Sequence, residues 1–423
     1  MDLRYIFDLN LLNEDVLCVY RKDKSAGANY RKSMQNFCAK YLGVTSPDNI
    51  SEYRGSADKY IDVRKYDVSD FSKEDLSIFR AAIDVSSILR MDRVFRTHFD
   101  YYEAYDLIQS TTKFFIEFFK RNKYKIIVIQ CVDNYVSDIL TRIATYLGIP
   151  VIGIVNFFYS GYIRITTYGE HNTVREVSSD EIDLVYKRLV SRESSSFNLS
   201  KGSIYKELLR QYIVYKFKYL AHYLFLHKVL NRWEYEYAGT PAFGYPSKLK
   251  NFFPKKYFEK NLSAINGFEK DKLVYIPLHF FPEATTEYWV ESPELSPYYP
   301  SLFETVQELS NLGYKVIIKE HPALYLKRDI SVYLKLKSIK NVFLIEPFLS
   351  TYELLDRVDY VVVWTGTTGI EAAMQDKKVL IVSENYYSSP LMPRIEDMLK
   401  ARAFSELEKK ELVKRILENC LEL

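Results

Sequence analysis

The sequence predicts an α/β protein of two Rossmann-like domains facing each other across a cleft, with a helical, aromatic-rich insertion. Two stretches of chain alternate short, continuous apolar runs with helical patterns, the signature of strands buried on both faces of a parallel sheet. Between them lies a segment of different character, punctuated by proline and glycine. The length, 423 residues, has room for two to three domains at roughly 150 residues each.

Taken in order, the first ninety residues carry little periodic signal until residues 72–90 (SKEDLSIFRAAIDVSSILR). These predict a helix with Ser72 as N-cap and acids in its first turn. Residues 101–120 predict a second helix ending in a Lys/Arg-rich turn. Residues 125–130 (KIIVIQ) predict a buried strand, 133–147 an amphipathic helix closed by Gly148, and 150–155 (PVIGIV) another strand. Together they make a βαβ unit. Residues 180–192 read as a polar helix, 194–201 as a serine-led loop, 203–233 as a long helical stretch, and 238–255, with three prolines and two glycines, as an interdomain connection. Five further strands are predicted at 273–278, 314–318, 342–345, 359–363 and 378–382, with helices at 299–312, 324–338, 350–356 and 368–375 between them. A last helix, 405–421, is placed to cross back to the first domain. The expected division is 1–255, 256–404 and 405–423.

Composition removes several function classes. With 58 Lys and Arg against 55 Asp and Glu, the net charge of +3 argues against nucleic acid as a partner. Apolar residues at 48% and charged residues at 27% exclude a charged disordered chain. The four cysteines (18, 38, 131, 420) are scattered without a C-x-x-C pair, as expected of free thiols in a reducing cytosol. Acids interrupt the apolar N-terminal stretch, so no signal peptide is expected there, and no window is apolar for the ~20 residues a membrane-spanning helix needs. The expected location is cytoplasmic, with peripheral contact at the inner face of the membrane as an option. The unusual figure is 16% aromatic residues, 37 of them Tyr. Residues 203–233 alone hold eight aromatics and six Lys or Arg against one acid. Three readings fit that stretch: an interfacial helix at an anionic membrane, a core helix whose lysines snorkel at its edges, or a stacking surface for acceptor sugars.

Three constellations follow strands of the second domain, where such folds gather ligands. In Leu278-His279-Phe280-Phe281-Pro282-Glu283-Ala284-Thr285, Glu283 is either a general base for an acceptor hydroxyl or a cap for the next turn. In Lys319-Glu320-His321-Pro322, Pro322 holds His321 extended, where its imidazole meets a phosphate or serves as an ordinary loop histidine. Lys319 adds positive charge or stays solvated at the strand end. In Thr365-Gly366-Thr367-Thr368-Gly369-Ile370-Glu371, hydroxyls and glycines open a helix, a natural phosphate site from Thr367, Thr368 and Gly369, with Glu371 placed for a ribose hydroxyl. An ordinary capped helix is the plainer alternative. No Walker A loop and no H-E-x-x-H occurs, and His222 and His227 are five apart, the wrong spacing for one helical face. No metal or other cofactor is expected.

The segment YIPLHFFPEATTEYW, then KEHP, then TGTTGIEA with KKVLIV, resembles the bacterial capsule and surface-polysaccharide glycosyltransferases of GT-B fold. It looks closest to the Kdo-transferase-like proteins and more distantly like bacterial sialyltransferases. The resemblance covers roughly residues 270–385. It implies a metal-independent, inverting transfer of an acidic sugar from a CMP donor to a glycan or lipid-linked glycan acceptor. The family's acidic base in a Q-x-x-x-D-A-S-like loop falls on Glu283, with Glu in place of Asp and His279 in place of Gln. Its His-Pro motif falls on His321 and Pro322, implying contact with the CMP phosphate. Its Ser/Thr-Gly-Glu-Ala motif falls on Thr367, Thr368, Gly369, Glu371 and Ala372, implying nucleotide binding. Asp133 is the alternative base. Rival readings are a CDP-polyol phosphotransferase, a nucleotide-sugar 2-epimerase, and a non-catalytic glycan-binding or assembly protein.

Overall fold

The computed structural model describes residues 1–20, 27–51, 61, 71–98, 100–159, 161–192, 229, 257–325 and 328–422. The aromatic stretch 203–233 and the connection 238–255 therefore lie outside the described residues, apart from position 229. The described residues form two compact units: Met1–Glu176 with Ile416–Leu423, and 177–192 with 257–415. Both are α/β, and both are built on mainly parallel sheets.

The first unit holds a six-stranded sheet. Its strands are β1 (Val16–Tyr20), β2 (Asp48–Ser51), β3 (Ile126–Ile129), β4 (Val151–Asn156), β5 (Tyr162–Ile165) and, from the far end of the chain, β11 (Cys420–Glu422). Their order is β11-β5-β4-β3-β1-β2. The run β2-β1-β3-β4 is parallel, β5 runs antiparallel to β4, and β11 runs antiparallel to β5. The expected βαβ unit is present as β3, the helix Tyr135–Tyr146 and β4, and Gly148 ends that helix at φ +75°. Every residue of β1 and β3 is buried, which is why such strands read as unbroken apolar runs. Residues 72–90 form two helices rather than one. Ser72 and Asp75 make a capping box for Lys73–Ala82, and Asp84 then caps a second helix, Val85–Met91. All four cysteines are buried free thiols.

The second unit holds β6 (Leu273–Pro277), β7 (Lys315–Lys319), β8 (Val342–Ile345), β9 (Tyr360–Val363) and β10 (Lys378–Ile381). Their order is β10-β9-β6-β7-β8, and every pair is parallel. The chain thus starts at the centre, winds outward through β7 and β8, returns beside β6 as β9 and ends at β10. The direction of winding reverses between β6 and β9, and that reversal opens a crevice at the carboxyl ends of the strands. Helices Tyr298–Asn311, Ile330–Ser338, Thr351–Leu355 and Thr368–Met374 make the connections. Several aromatics fill its core: Tyr275, Tyr298, Tyr325, Tyr333, Tyr387 and Trp364 are among the largest fully buried side chains.

Two expectations change. The helix Ser179–Val190 belongs with the second unit, because it packs on Thr368–Met374. Gln375 donates to the Val190 carbonyl at 3.1 Å, and Arg192 pairs with Asp356 at 2.7 Å. The predicted last helix stops at Glu418, and the chain from Ile416 belongs to the first unit, where β11 pairs with β5.

Gly153 in β4 tests the first sheet. A Cβ at this position would lie 1.9 Å from the Thr166 carbonyl oxygen, a backbone atom that cannot rotate away. Gly153→Ala is expected to cost about 3 kcal/mol in urea unfolding. An unchanged midpoint would contradict the close approach of β4 to the chain after β5.

Candidate functional site

The loop after β7 is organised around a carboxylate that the sequence reading passed over. Glu320 is fully buried and accepts from Arg328 Nε at 2.5 Å and Nη2 at 2.9 Å, from Tyr333 Oη at 2.6 Å, and from the backbone N–H of His321 at 2.6 Å. Arg328 is equally buried, and Glu320 holds its guanidinium well above its ordinary pKa despite that burial. A bidentate pair with further donors on the carboxylate is the arrangement in which two buried charges are tolerated. Arg328 reaches further: Nη2 donates to the His279 carbonyl at 2.6 Å and Nη1 to Tyr299 Oη at 2.9 Å. Nothing in the sequence marks Arg328, eight residues beyond Glu320 and outside any motif.

Flanking this pair, Lys319 and His321 open onto a cavity of about 480 Å³. Pro322, Thr367, Thr368 and Glu371 also line it, as do Ser350, Thr351 and Glu353. The cavity therefore brings together six of the eight predicted site residues. His321 is half-buried, with its ring edge-on to Phe280 at 5.7 Å. Lys319 is buried rather than solvated, and Nζ donates to Thr351 Oγ1 at 3.2 Å. Burial lowers its ammonium pKa to about 8, although Glu371 and Glu320 oppose the shift. Burial likewise raises the Glu371 carboxyl to about 7, with Lys319 opposing. Lys319 is the single Lys or Arg in the described lining.

The other two predicted residues lie elsewhere. Gly369 faces the core: its N–H closes a turn onto the Gly366 carbonyl at 3.2 Å, and a Cβ there would sit 2.4 Å from Tyr387 Oη. Its role is therefore close packing rather than a cavity-facing donor. Glu283 is exposed at the N-cap position of the short helix Ala284–Glu287, outside the cavity lining. Its carboxylate accepts from Thr285 Oγ1 at 2.8 Å instead of capping the backbone. Asp133, in the first unit, follows β3, and its carbonyl accepts from Arg93 at 2.8 Å.

His279 occupies the crevice between β6 and β9. It is buried, and its Nε2 has no hydrogen-bond partner among the described residues. Burial, with His321 and Arg328 nearby, lowers its pKa to about 3, so the ring is neutral. It stands edge-on to Tyr298 and Trp364 and lies against Gly366, where a Cβ would come 2.9 Å from Cε1. Among the described residues, no three His, Cys, Asp or Glu side chains gather as a metal site.

Residues 299–419 match the family model described as "Capsule polysaccharide biosynthesis protein". This bears out the resemblance drawn from residues 270–385 over the part the two ranges share. No curated protein matches the chain. Among solved structures, the β-Kdo 2,7 transferase of KpsC from Thermosulfurimonas dismutans is 13% identical, covering 84% of this chain and 90% of its own, with a TM-score of 0.35. The UDP-GlcNAc 2-epimerase of Neisseria meningitidis bound to UDP-GlcNAc is 12% identical, at 95% and 93% coverage and TM-score 0.29. A glycosyltransferase from Rickettsia africae is 11% identical, at 96% and 93% coverage and TM-score 0.27.

The two shifted groups make stability depend on pH in opposite directions. Glu371 rises from 4.5 to about 7 on folding, so in that window the native state holds a proton the unfolded chain has released, and its contribution falls as pH rises. Lys319 drops from 10.5 to about 8, so its contribution rises between those values. Their joint contribution is lowest between about pH 7 and 8. Relative to the unaltered protein, Glu371→Gln should therefore gain stability steadily as pH is raised from 4.5 to 7, by up to ~3 kcal/mol in denaturant unfolding. A difference that stays flat across this range would show that Glu371 titrates as an ordinary carboxylate.

Proposed function

We propose that this chain is a metal-independent, inverting glycosyltransferase of bacterial surface-polysaccharide synthesis. It transfers an acidic, Kdo- or sialic-acid-like sugar from a CMP donor to a hydroxyl of a glycan or lipid-linked glycan acceptor. The observation that carries the reading is the cavity at the strand ends, which gathers Lys319, His321, Thr367 and Thr368 around one space. The capsule-biosynthesis match over 299–419 includes all four residues.

The charge of the lining supports a donor with a single phosphate. Among the described lining residues Lys319 is the one Lys or Arg, against Glu353, Glu371 and the Arg328-paired Glu320, a balance that favours one anionic phosphate over two. In the proposed reaction the acceptor oxygen attacks the anomeric carbon as Glu283 takes its proton, and the bond from that carbon to the phosphate oxygen breaks in the same displacement. Lys319, the His321 imidazole and the Thr367 and Thr368 hydroxyls receive the charge that collects on the departing CMP. Glu371 accepts from a ribose hydroxyl. Among the described residues no helix is long and apolar enough to cross a membrane, and the proposed location is cytoplasmic, with peripheral contact at the inner membrane face as the option to test.

Thermal-shift titration with CMP, CDP and UDP tests the donor. CMP is expected to stabilise the protein, by about 2.7 kcal/mol at a hundred times its Kd. A response to UDP and none to CMP would overturn the donor assignment, and a response to CDP alone would favour polyol-phosphate transfer. No response to any of the three would favour a non-catalytic glycan-binding protein. Glu283→Gln should abolish transfer and leave CMP binding intact, whereas His321→Ala should weaken CMP binding at least tenfold. Full turnover by Glu283→Gln would move the base elsewhere, with Asp133 the next carboxylate to replace.

A further inference from the structure

We infer that Arg328 is the positioning residue of the cavity: its guanidinium holds the loops after β6 and β7 at a fixed spacing and, through His279, sets the turn after β9. The guanidinium bridges two loops directly. Nη2 donates both to Glu320 Oε1 and to the His279 carbonyl, at 2.9 and 2.6 Å. The same Glu320 oxygen accepts the backbone N–H of His321. One carboxylate oxygen therefore ties the cavity histidine to the guanidinium, and one guanidinium nitrogen ties that carboxylate to the neighbouring loop.

The third loop is reached by packing. The His279 ring is buried against Gly366 at a separation that leaves no room for a Cβ. Gly366 immediately precedes Thr367 and Thr368, which line the cavity. A shift of the His279 backbone thus displaces the ring on which the turn rests. The side chain has to be arginine for geometric reasons. Nε, Nη1 and Nη2 each hold a separate partner, and they do so in a fixed planar fork. A lysine ammonium keeps the charge but lacks the fork, so it cannot hold Glu320 at two points and the His279 carbonyl as well.

The effect on nucleotide binding rests on reading the cavity as the donor site; the linkage of the loops does not. The full chain, labelled with 15N in histidine and glycine, serves for both. In Arg328→Lys, the ring resonances of His321 and His279 and the amide of Gly366 are all expected to shift, and CMP affinity to fall at least tenfold. In Gly366→Ala, the His279 ring is expected to move and the His321 signals to follow. The double variant should lose less CMP affinity than the product of the two single losses, because both break one linkage. If Arg328→Lys does not fold, Glu320→Gln with Arg328→Met removes the pair without stranding a buried charge and should give the same three-loop pattern. Shifts confined to His321, with His279 and Gly366 unmoved, or fully multiplicative losses, would overturn the inference. Failure of the unaltered protein to bind CMP would overturn the donor reading, while the resonances of the ligand-free variants would still decide the linkage.

Discussion

Glu320 and Arg328 are both withdrawn from water, and the arrangement of the second unit's strand ends follows from that. Burying two such ions costs several kcal/mol each before any contact is made. The cost is met only because the carboxylate takes a two-point grip from the guanidinium, with Tyr333 and the His321 amide occupying its remaining lone pairs. Neither partner tolerates loss of the other, so the loop after β7 has one acceptable course. The sheet brings the strands to a common edge; the ion pair decides how the chain leaves that edge. Pro322 and the short turn that follows, closed by Leu324 donating to the His321 carbonyl at 2.9 Å, then hold the imidazole toward the cavity.

The cavity places a cation and a carboxyl in one poorly hydrated space, and each is moved toward its neutral form by the same desolvation. Lys319 and Glu371 partly rescue each other, which limits both shifts. A buried lysine beside a buried glutamate is costly to keep when the space is empty, and an arriving anion changes that balance in favour of the charged lysine. Residues that weaken the fold locally while organising a binding site are a common compromise in functional clefts.

The second unit was legible in the sequence because its strands are buried on both faces. Runs such as 273–278 and 359–363 can do little else, and their predicted bounds fall within a residue of the observed ones. The first unit was legible only in part: the βαβ unit of β3, its helix and β4 could be read, whereas β1 and β2 could not. β1 has only five apolar residues behind an Asn-Glu-Asp turn, and β2 (DNIS) is a polar strand at the edge of the sheet, recognisable by its hydrogen bonds and not by its composition. The helix Ser179–Val190 was seen but placed with the wrong neighbours, since its partner lies nearly two hundred residues on and periodicity says nothing of partners. In the site, strand-end motifs pointed to Lys319, His321, Thr367, Thr368 and Glu371. They gave no hint of Glu320, which stood as a spacer, or of Arg328. The glycines at 366 and 369 stood out by type, while the reason for each, the His279 ring in one case and the Tyr387 hydroxyl in the other, appears only in three dimensions.

The strand β11 closes the first sheet with residues that follow the whole second unit. Asn419 donates to the Ile165 carbonyl at 2.7 Å across 254 residues of chain, and Leu421 pairs with Ile163 in register. On a ribosome, this sheet waits without its sixth strand, and with β5 unpaired along one side, until the entire second unit has been translated. Completion of the first unit therefore reports that the second has been made. An exposed strand edge during that interval is a natural substrate for holding chaperones and a natural route to aggregation when they are scarce.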